Sequence, residues 1–537
     1  MDSIEAKESK FLSGENRYYV KPSMFDMIPG APIAYWASDQ FVENYKKCIF
    51  IDQIAVNTGS QNKPANNDKY VRFVWEVDAN RIGPGNKWVI YSKGGESRKY
   101  YGNLLYVVDW SNEARSFYKN NPTSNLLKEE YWYEEGITYT KVSSKGTSFR
   151  YLPSGCVFDT GGPSIVQFKH NLFYILGFLN SKVCAQYLNI INPTINVQTK
   201  DISKIPLLID KELTEHIEMT VRRCVSIAQD DWDSSETSHH FQSNPLILTK
   251  QDKVEDAFKI LQNNSKVLRV EMEEKQQNIN SHFNKIYGMD TDTSDTVDLK
   301  IITPTSAVKE LLSYAVGCIF GRYSLDVPGI ILSNPTLDRS QYTSIIPDDD
   351  NIVLIDDGGQ GNDIVYRLVE FIKVAFGEKN LEDNLKFIAD NLGIKYNGTA
   401  RDGIRKYFLN DYYDDHIRTF HKCPIYWLFD SGNDNGFKAL VYMHRYTPDL
   451  ISKMRQDYLL PTLSRYTEQV KYAEGALKIE IQKKIEEIQV YDIAMEKYAS
   501  VKVSIDLDDG VKVNYAKFQN IENPGSKKKI NLLHPLK

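Results

Sequence analysis

The feature that most constrains this chain is a periodic apolar stripe over residues 253–287. Val254, Phe258, Leu261, Ser265, Leu268, Met272, Lys275, Ile279, His282 and Ile286 follow alternating steps of four and three, and seven of the ten are apolar. That spacing predicts one long helix of about five heptads. A second stripe runs through Leu463, Tyr466, Val470, Ala473, Leu477, Ile481, Ile485, Ile488, Met495 and Tyr498. Each helix needs a partner for its apolar face. The economical solution is that the two pack on one another as spacers; the alternative is that each covers its own domain.

Around the stripes the text is mixed. VRFVWEV (71–77), KWVIYS (87–92) and GITYTKV (136–142) are short aromatic and β-branched runs bounded by Gly, Pro and Asn, so they read as strands. Residues 170–189 read as helical, and IPLLI (205–209) closes that region. The polar stretch 226–245 reads as a loop or insertion. Further on, 404–422 looks helical, whereas NIVLI (351–355) and PIYWLFD (424–430) look like strands. GCVF (155–158) and GCIF (317–320) echo one another too briefly to establish a repeat.

The expected fold class is therefore mixed α/β (α+β), with two lobes linked by long spacer helices. The expected divisions are an N-terminal arm (1–20), a first lobe (21–210), an insertion loop and long helix (211–298), a second lobe (299–461), a long C-terminal helix (462–500), and a strand segment with a basic tail (501–537). Three to four domains suit 537 residues.

Net charge is −6 and the six cysteines are scattered without a C-x-x-C pair. A uniformly basic coat is excluded; a local basic groove is not. The cysteine spacing points to reduced thiols and away from a zinc module. The polar start lacks an apolar signal core, and the longest apolar stretch (172–179) falls far short of a membrane span, so a cytoplasmic protein with no membrane partner is expected.

Catalytic signatures fail one by one. No G-x-x-x-x-G-K-[ST], G-x-S-x-G or H-E-x-x-H occurs. IDDGGQGND (355–363) lacks the G-x-G-x-x-G spacing, and its leading carboxylates would repel phosphate. DLDDG (506–510) places Gly at the fifth position and Lys517 where a calcium loop needs Glu. Asp348, Asp349 and Asp350 read as an acidic loop. The chain holds no Pro-Pro dipeptide, so the polar-Pro-Pro-aromatic tetrapeptide of amino-group methylation is absent. Asn192-Pro193-Thr194 and Asn334-Pro335-Thr336 are superficial echoes. No catalytic, cofactor-binding or metal-ligating residue is assigned.

What remains suits nucleic acid. In 87–103, Lys93, Arg98 and Lys99 surround Gly94-Gly95 beside Tyr100 and Tyr101. Glycine lets backbone approach a ligand, and the cations suit phosphate oxygens. In 138–155, Lys141, Lys145 and Arg150 alternate with hydroxyl residues. Arg322, Arg405, Lys406 and Arg445 add cations in the second lobe. In each case the plainer alternative is a solvated turn or a buried structural pair. The Lys527–Lys529 run reads as a solvated tail.

These segments also carry a family resemblance. IPGAPIAYW (28–36), KWVIYSKGGESRKYYGN (87–103), EEGITYTKVSSKGTSFRYLPSGCVFD (134–159), FLNSKVCAQYLNIINPTINVQTKDISKIP (178–206), YAVGCIFGRYSLD (314–326), CPIYWLFDSG (423–432), ALVYMHRY (439–446) and IDLDDGVKVNY (505–515) stand in this sequence. The chain resembles the C-terminal, target-recognition half of the PglX family, the adenine-specific DNA methyltransferases of BREX phage-defence systems, over about residues 20–520. Such proteins are roughly twice this length, and their front half carries the S-adenosylmethionine fold and an Asn-Pro-Pro-Tyr motif. Neither is here, so the family's catalytic residues match no position. The resemblance implies a DNA-specificity part of an adenine-N6 methyltransferase, binding duplex DNA at an asymmetric site. S-adenosylmethionine would belong to the implied catalytic half, and partners would be that half or other BREX proteins. The alternative is an interaction or regulatory partner without its own DNA specificity.

Overall fold

The computed structural model describes residues 4–15, 17–58, 61–332, 334, 336–355, 363–523 and 528–536. Most of the glycine-rich stretch before Asp363, Pro335 of the Asn-Pro-Thr echo and Lys527 of the tail run lie outside the described residues.

Two four-stranded sheets build the first lobe. One orders its strands Val71–Phe73, Tyr106–Asp109, Trp88–Ser92 and Cys156–Phe158, with only the last pair parallel. The other orders Val56–Asn57, Ser164–Val166, Gly136–Tyr139 and Phe149–Leu152, all antiparallel. Both faces of these strands are covered, so WVIYS and GITY are continuous apolar or neutral runs rather than alternating ones. The helices Leu172–Leu179, Lys182–Ile191 and Thr214–Asp233 complete this core.

The second lobe pairs Val353–Leu354, Lys438–Tyr442 and Tyr426–Asp430 in one antiparallel sheet. Helices Pro304–Phe320, Ile364–Phe376, Leu381–Asn391, Ala400–Asn410 and Tyr412–Thr419 pack around it. The lobes are in direct contact. Trp75 of the first donates its indole N–H to the Cys423 carbonyl at 3.0 Å, and the His444 ring lies 2.9 Å from the Trp75 carbonyl.

The first stripe forms the expected helix, Val254–Tyr287, closed by Gly288 at φ 62°. It serves both lobes. Val254, Ala257 and Phe258 sit in the core of the second lobe, and Met272, Ile279, Phe283 and Tyr287 in the core of the first. Between them Ile260, Val267 and Val270 face solvent. Its last residue is fixed on the first lobe: the Tyr287 hydroxyl donates to the Pro206 carbonyl and accepts from the Leu208 N–H, both at 2.8 Å.

The expected pairing of the two long helices does not form. The helix Val254–Tyr287 packs on Thr214–Asp233 and Leu381–Asn391. The second stripe breaks into Leu460–Gln469 and Gly475–Val501, which pack on each other, the second also on Leu450–Met454. Nearer apolar faces cover each helix, so neither needs the other.

Three local readings also change. Residues 226–233 continue a helix, because Ile217, Val221, Cys224 and Ala228 supply a buried face beneath a polar composition. The tail segment is a 3-10 turn, Leu507–Asp509, and a helix, Gly510–Ala516, instead of a strand. GCVF lies on a strand and GCIF ends a helix, so the echo has no structural counterpart.

Candidate nucleic-acid interface

The Gly94-Gly95 turn holds backbone close, but to the protein itself. At Gly94, φ is +78° and an added Cβ would stand 2.4 Å from the Gly161 carbonyl oxygen. The turn thus buttresses the loop 159–163. Lys93 completes that contact with an ion pair to Asp159 at 2.6 Å.

Arg98 and Lys99 turn inward. Arg98 pairs with Asp231 at 2.6 Å, donates to the carbonyls of Tyr101 and Ala228, and lies over the Trp232 ring. Lys99 pairs with Asp295 and donates to the Asn180 carbonyl at 3.2 Å. Tyr101 is buried, and burial pushes its phenol well above its ordinary range.

Arg150 is wholly buried, with the Thr140 hydroxyl (3.1 Å) and the Arg98 carbonyl (3.2 Å) as acceptors. Burial, and then the charge of Arg98, push its guanidinium down to about 10. Arg322 is equally buried and donates to the hydroxyls of Tyr323 (3.1 Å) and Tyr442 (2.8 Å). Arg405 pairs with buried Asp363 at 2.7 Å. Arg445 donates to the carbonyls of Phe320 and Asp349, and burial lowers its pKa. These side chains cross-link loops, which is why loops that look like basic tips hold so many arginines. Lys406 is exposed and reaches the Lys395 carbonyl at 2.7 Å.

Lys141 and Lys145 differ. Lys145 is exposed at the tip of the hairpin Gly136–Tyr139/Phe149–Leu152. Lys141 lines a shallow cavity of about 220 Å³ with Gln61, Lys63, Asn125, Gln198 and Thr199. Main-chain bonds frame it: Lys63 and Asn125 exchange N–H···O bonds at 2.8 and 2.9 Å, and the Val197 N–H donates to the Lys141 carbonyl at 2.9 Å. Among the described residues, Lys63, Lys141, Lys145 and Lys200 have no carboxylate within ion-pair distance. Gln61, Asn125 and Gln198 each donate amide N–H within the lobe, to Thr58, the Gln61 carbonyl and Asn196, and their remaining polar atoms lie beside the ammonium groups on a surface that suits phosphates and base edges.

Sequence reasoning missed Gln61, Lys63, Asn125, Gln198, Thr199 and Lys200. They come from three separate stretches, and only VQTKD (197–201) stood within a quoted family string. Among the described residues, no group of three or more His, Cys, Asp or Glu is arranged to hold a metal, and no helix is long and apolar enough to cross a membrane.

No family model matches the chain. Two curated relatives do. Adenine-specific methyltransferase BrxX of Escherichia coli O9:H4 (strain HS) is 34% identical over 576 residues, covering 97% of this chain and 47% of that protein. Adenine-specific methyltransferase PglX of Lacticaseibacillus casei (strain Zhang) is 32% identical over 569 residues, covering 96% of this chain and 47% of that protein. The resemblance read from the motifs is thus carried by the whole sequence: the chain is homologous to the adenine-specific methyltransferases BrxX and PglX along nearly all of its length, and spans about half the length of those curated relatives.

Proposed function

We propose that this chain is the target-recognition part of a BREX adenine-N6 DNA methyltransferase, acting in the cytoplasm on duplex DNA at an asymmetric site. The observation that carries the reading is the match of 96–97% of the chain to proteins named as adenine-specific methyltransferases, together with a sequence that lacks the motifs of catalysis. The free face of the first lobe supplies suitable chemistry. Lys63, Lys141, Lys145 and Lys200 neutralise phosphates and fix register. Gln61, Asn125 and Gln198 are side chains of the type that bonds adenine bidentately at N6 and N7. Lys93, Arg98 and Arg150 hold the loops behind this face. The catalytic half implied by the relatives binds S-adenosylmethionine, takes the adenine out of the stack and methylates N6.

The test is long-read mapping of N6-methyladenine in cells carrying the catalytic half, with and without this chain. A new asymmetric methylated motif that appears only with the chain is expected. An unchanged methylome with the chain soluble and expressed overturns the reading, and leaves a regulatory or docking role in the defence complex.

A further inference from the structure

A cavity of about 340 Å³ opens on the second lobe, lined by the helices Pro304–Phe320 and Tyr412–Thr419 and by Glu236, just beyond the helix Thr214–Asp233. Its size suits a small ligand. Glu236, Tyr412 and His416 line it and are only 8%, 2% and 3% exposed. Glu236 Oε1, the Tyr412 hydroxyl and His416 Nδ1 have no hydrogen-bond partner among the described residues, and neither has the hydroxyl of Tyr426, whose ring stacks on His416. Buried polar groups are almost always satisfied, so four such atoms grouped at one cavity mark a place that a ligand completes.

The chemistry of the floor is fixed by its neighbours. His416 Nε2 accepts the Tyr426 N–H at 3.1 Å, so Nδ1 carries the proton. Burial, and then the charge of Arg322, push this imidazole down to about 3, and it stays neutral. The floor therefore sets N–H and O–H donors beside a carboxyl acceptor. The mouth is different. Asp415 is shared by Lys309 (2.7 Å), Arg418 (2.9 Å) and the Tyr407 hydroxyl (3.0 Å), and Glu310 is matched by Lys300 (2.7 Å). Three cations thus face two carboxylates, leaving positive charge in surplus. The first turn of the helix Pro304–Phe320, with Thr305 and Ser306, also borders the cavity, and the positive end of a helix favours an anion.

We infer that this cavity binds an adenine mononucleotide, with the base inward against Glu236, His416 and Tyr412 and the phosphate at the mouth. Adenine presents an exocyclic N–H beside a ring-nitrogen acceptor. The first matches the Glu236 carboxyl, and the second the donors of His416 and Tyr412. The phosphate meets Lys309, Arg418 and the start of the helix. This site shares no lining residue with the cavity at Lys141, and the inference stands apart from the recognition reading.

The experiment is isothermal titration of the full chain with adenosine monophosphate at pH 8, where the Glu236 carboxyl, pushed up to about 7 by burial, is ionised. Saturable one-to-one binding is expected. Inosine monophosphate turns a carbonyl oxygen towards the carboxylate and a ring N–H towards the donors, so it should bind roughly tenfold more weakly or worse. Glu236→Gln keeps the shape and offers an N–H as well as an oxygen, and should bring the two nucleotides to within about threefold of each other. Arg418→Ala removes a cation that is 77% exposed. It should weaken adenosine monophosphate by about threefold and leave adenosine unchanged, whereas Lys141→Ala should alter neither. No saturable binding by the folded chain, equal binding of the two nucleotides, or a Glu236→Gln variant that keeps the full preference overturns the inference.

Discussion

The Arg98 guanidinium stands 2.6 Å from one carboxylate oxygen of Asp231, while the other accepts the Lys300 N–H at 3.0 Å. One acidic side chain thus ties the first lobe's glycine-rich segment to the helix Thr214–Asp233 and to the irregular segment entering the second lobe. Removing one member of a largely buried pair leaves the other uncompensated. Asp231→Ala should cost about 3 kcal/mol, read as a lower urea midpoint, with DNA affinity unchanged once the fraction folded is corrected for.

The free and the inward-facing cations should respond differently to truncation. Lys141→Ala and Lys145→Ala should each lower the slope of log K against log salt by about one phosphate's worth, near 0.9, without shifting the melting temperature. Arg150→Met removes a guanidinium whose donors serve Thr140 and the Arg98 carbonyl. It should change stability and leave the salt slope of the folded fraction alone. Equal effects on the salt slope would show that the polar cavity does not mark the DNA face.

Glu236 provides a pH test of the second lobe. It is buried, and burial pushes its carboxyl from 4.5 up to about 7, against the pull of the Ser313 hydroxyl and the Arg322 charge. The folded state holds this proton to near neutrality, whereas the unfolded chain releases it near 4.5. Stability from this group is complete below the lower value and is lost as pH rises towards 7. Glu236→Gln should therefore gain about 3 kcal/mol on the wild type between pH 4 and pH 8, at roughly 1.4 kcal/mol per pKa unit. Urea titrations at the two pH values check it; a constant difference would mean that the folded carboxyl titrates at its unfolded value, and a relative loss by the variant at pH 8 that the carboxylate is stabilised as an anion.

Gly94 tests the backbone buttress. Its positive φ and the 2.4 Å approach of the Gly161 oxygen to an added Cβ leave no room for a side chain. Gly94→Ala should destabilise by about 2–4 kcal/mol, measured by thermal unfolding, and Gly85→Ala, with the same sign of φ but open space around it, should cost less.

The sequence was most legible where the signal was long and local. The stripe through Val254–Tyr287 spans its whole helix, and WVIYS and GITY carry their strand chemistry in five and four residues. The second stripe misled because periodicity continues through 470–474, where the backbone turns before Gly475 at φ 55°. The site was least legible for a different reason. Lys99 finds Asp295, 196 positions away, and Lys87 finds Asp508, 421 positions away, so nothing near either lysine announces that its charge is already matched. The same holds for the polar cavity, whose walls at Gln61, Asn125 and Gln198 meet only after folding.

The helix Val254–Tyr287, anchored by its first turn in one core and by its last turns in the other, acts as a ruler of roughly 50 Å at 1.5 Å per residue. Its solvent-facing middle tolerates exchange of side chains but not a change in their number. One residue added near Val267 would swing one lobe by about 100° around the helix axis relative to the other, and would pull Trp75 away from Cys423 and His444. The angle between the lobes is thus written as an integer, the number of residues in that helix.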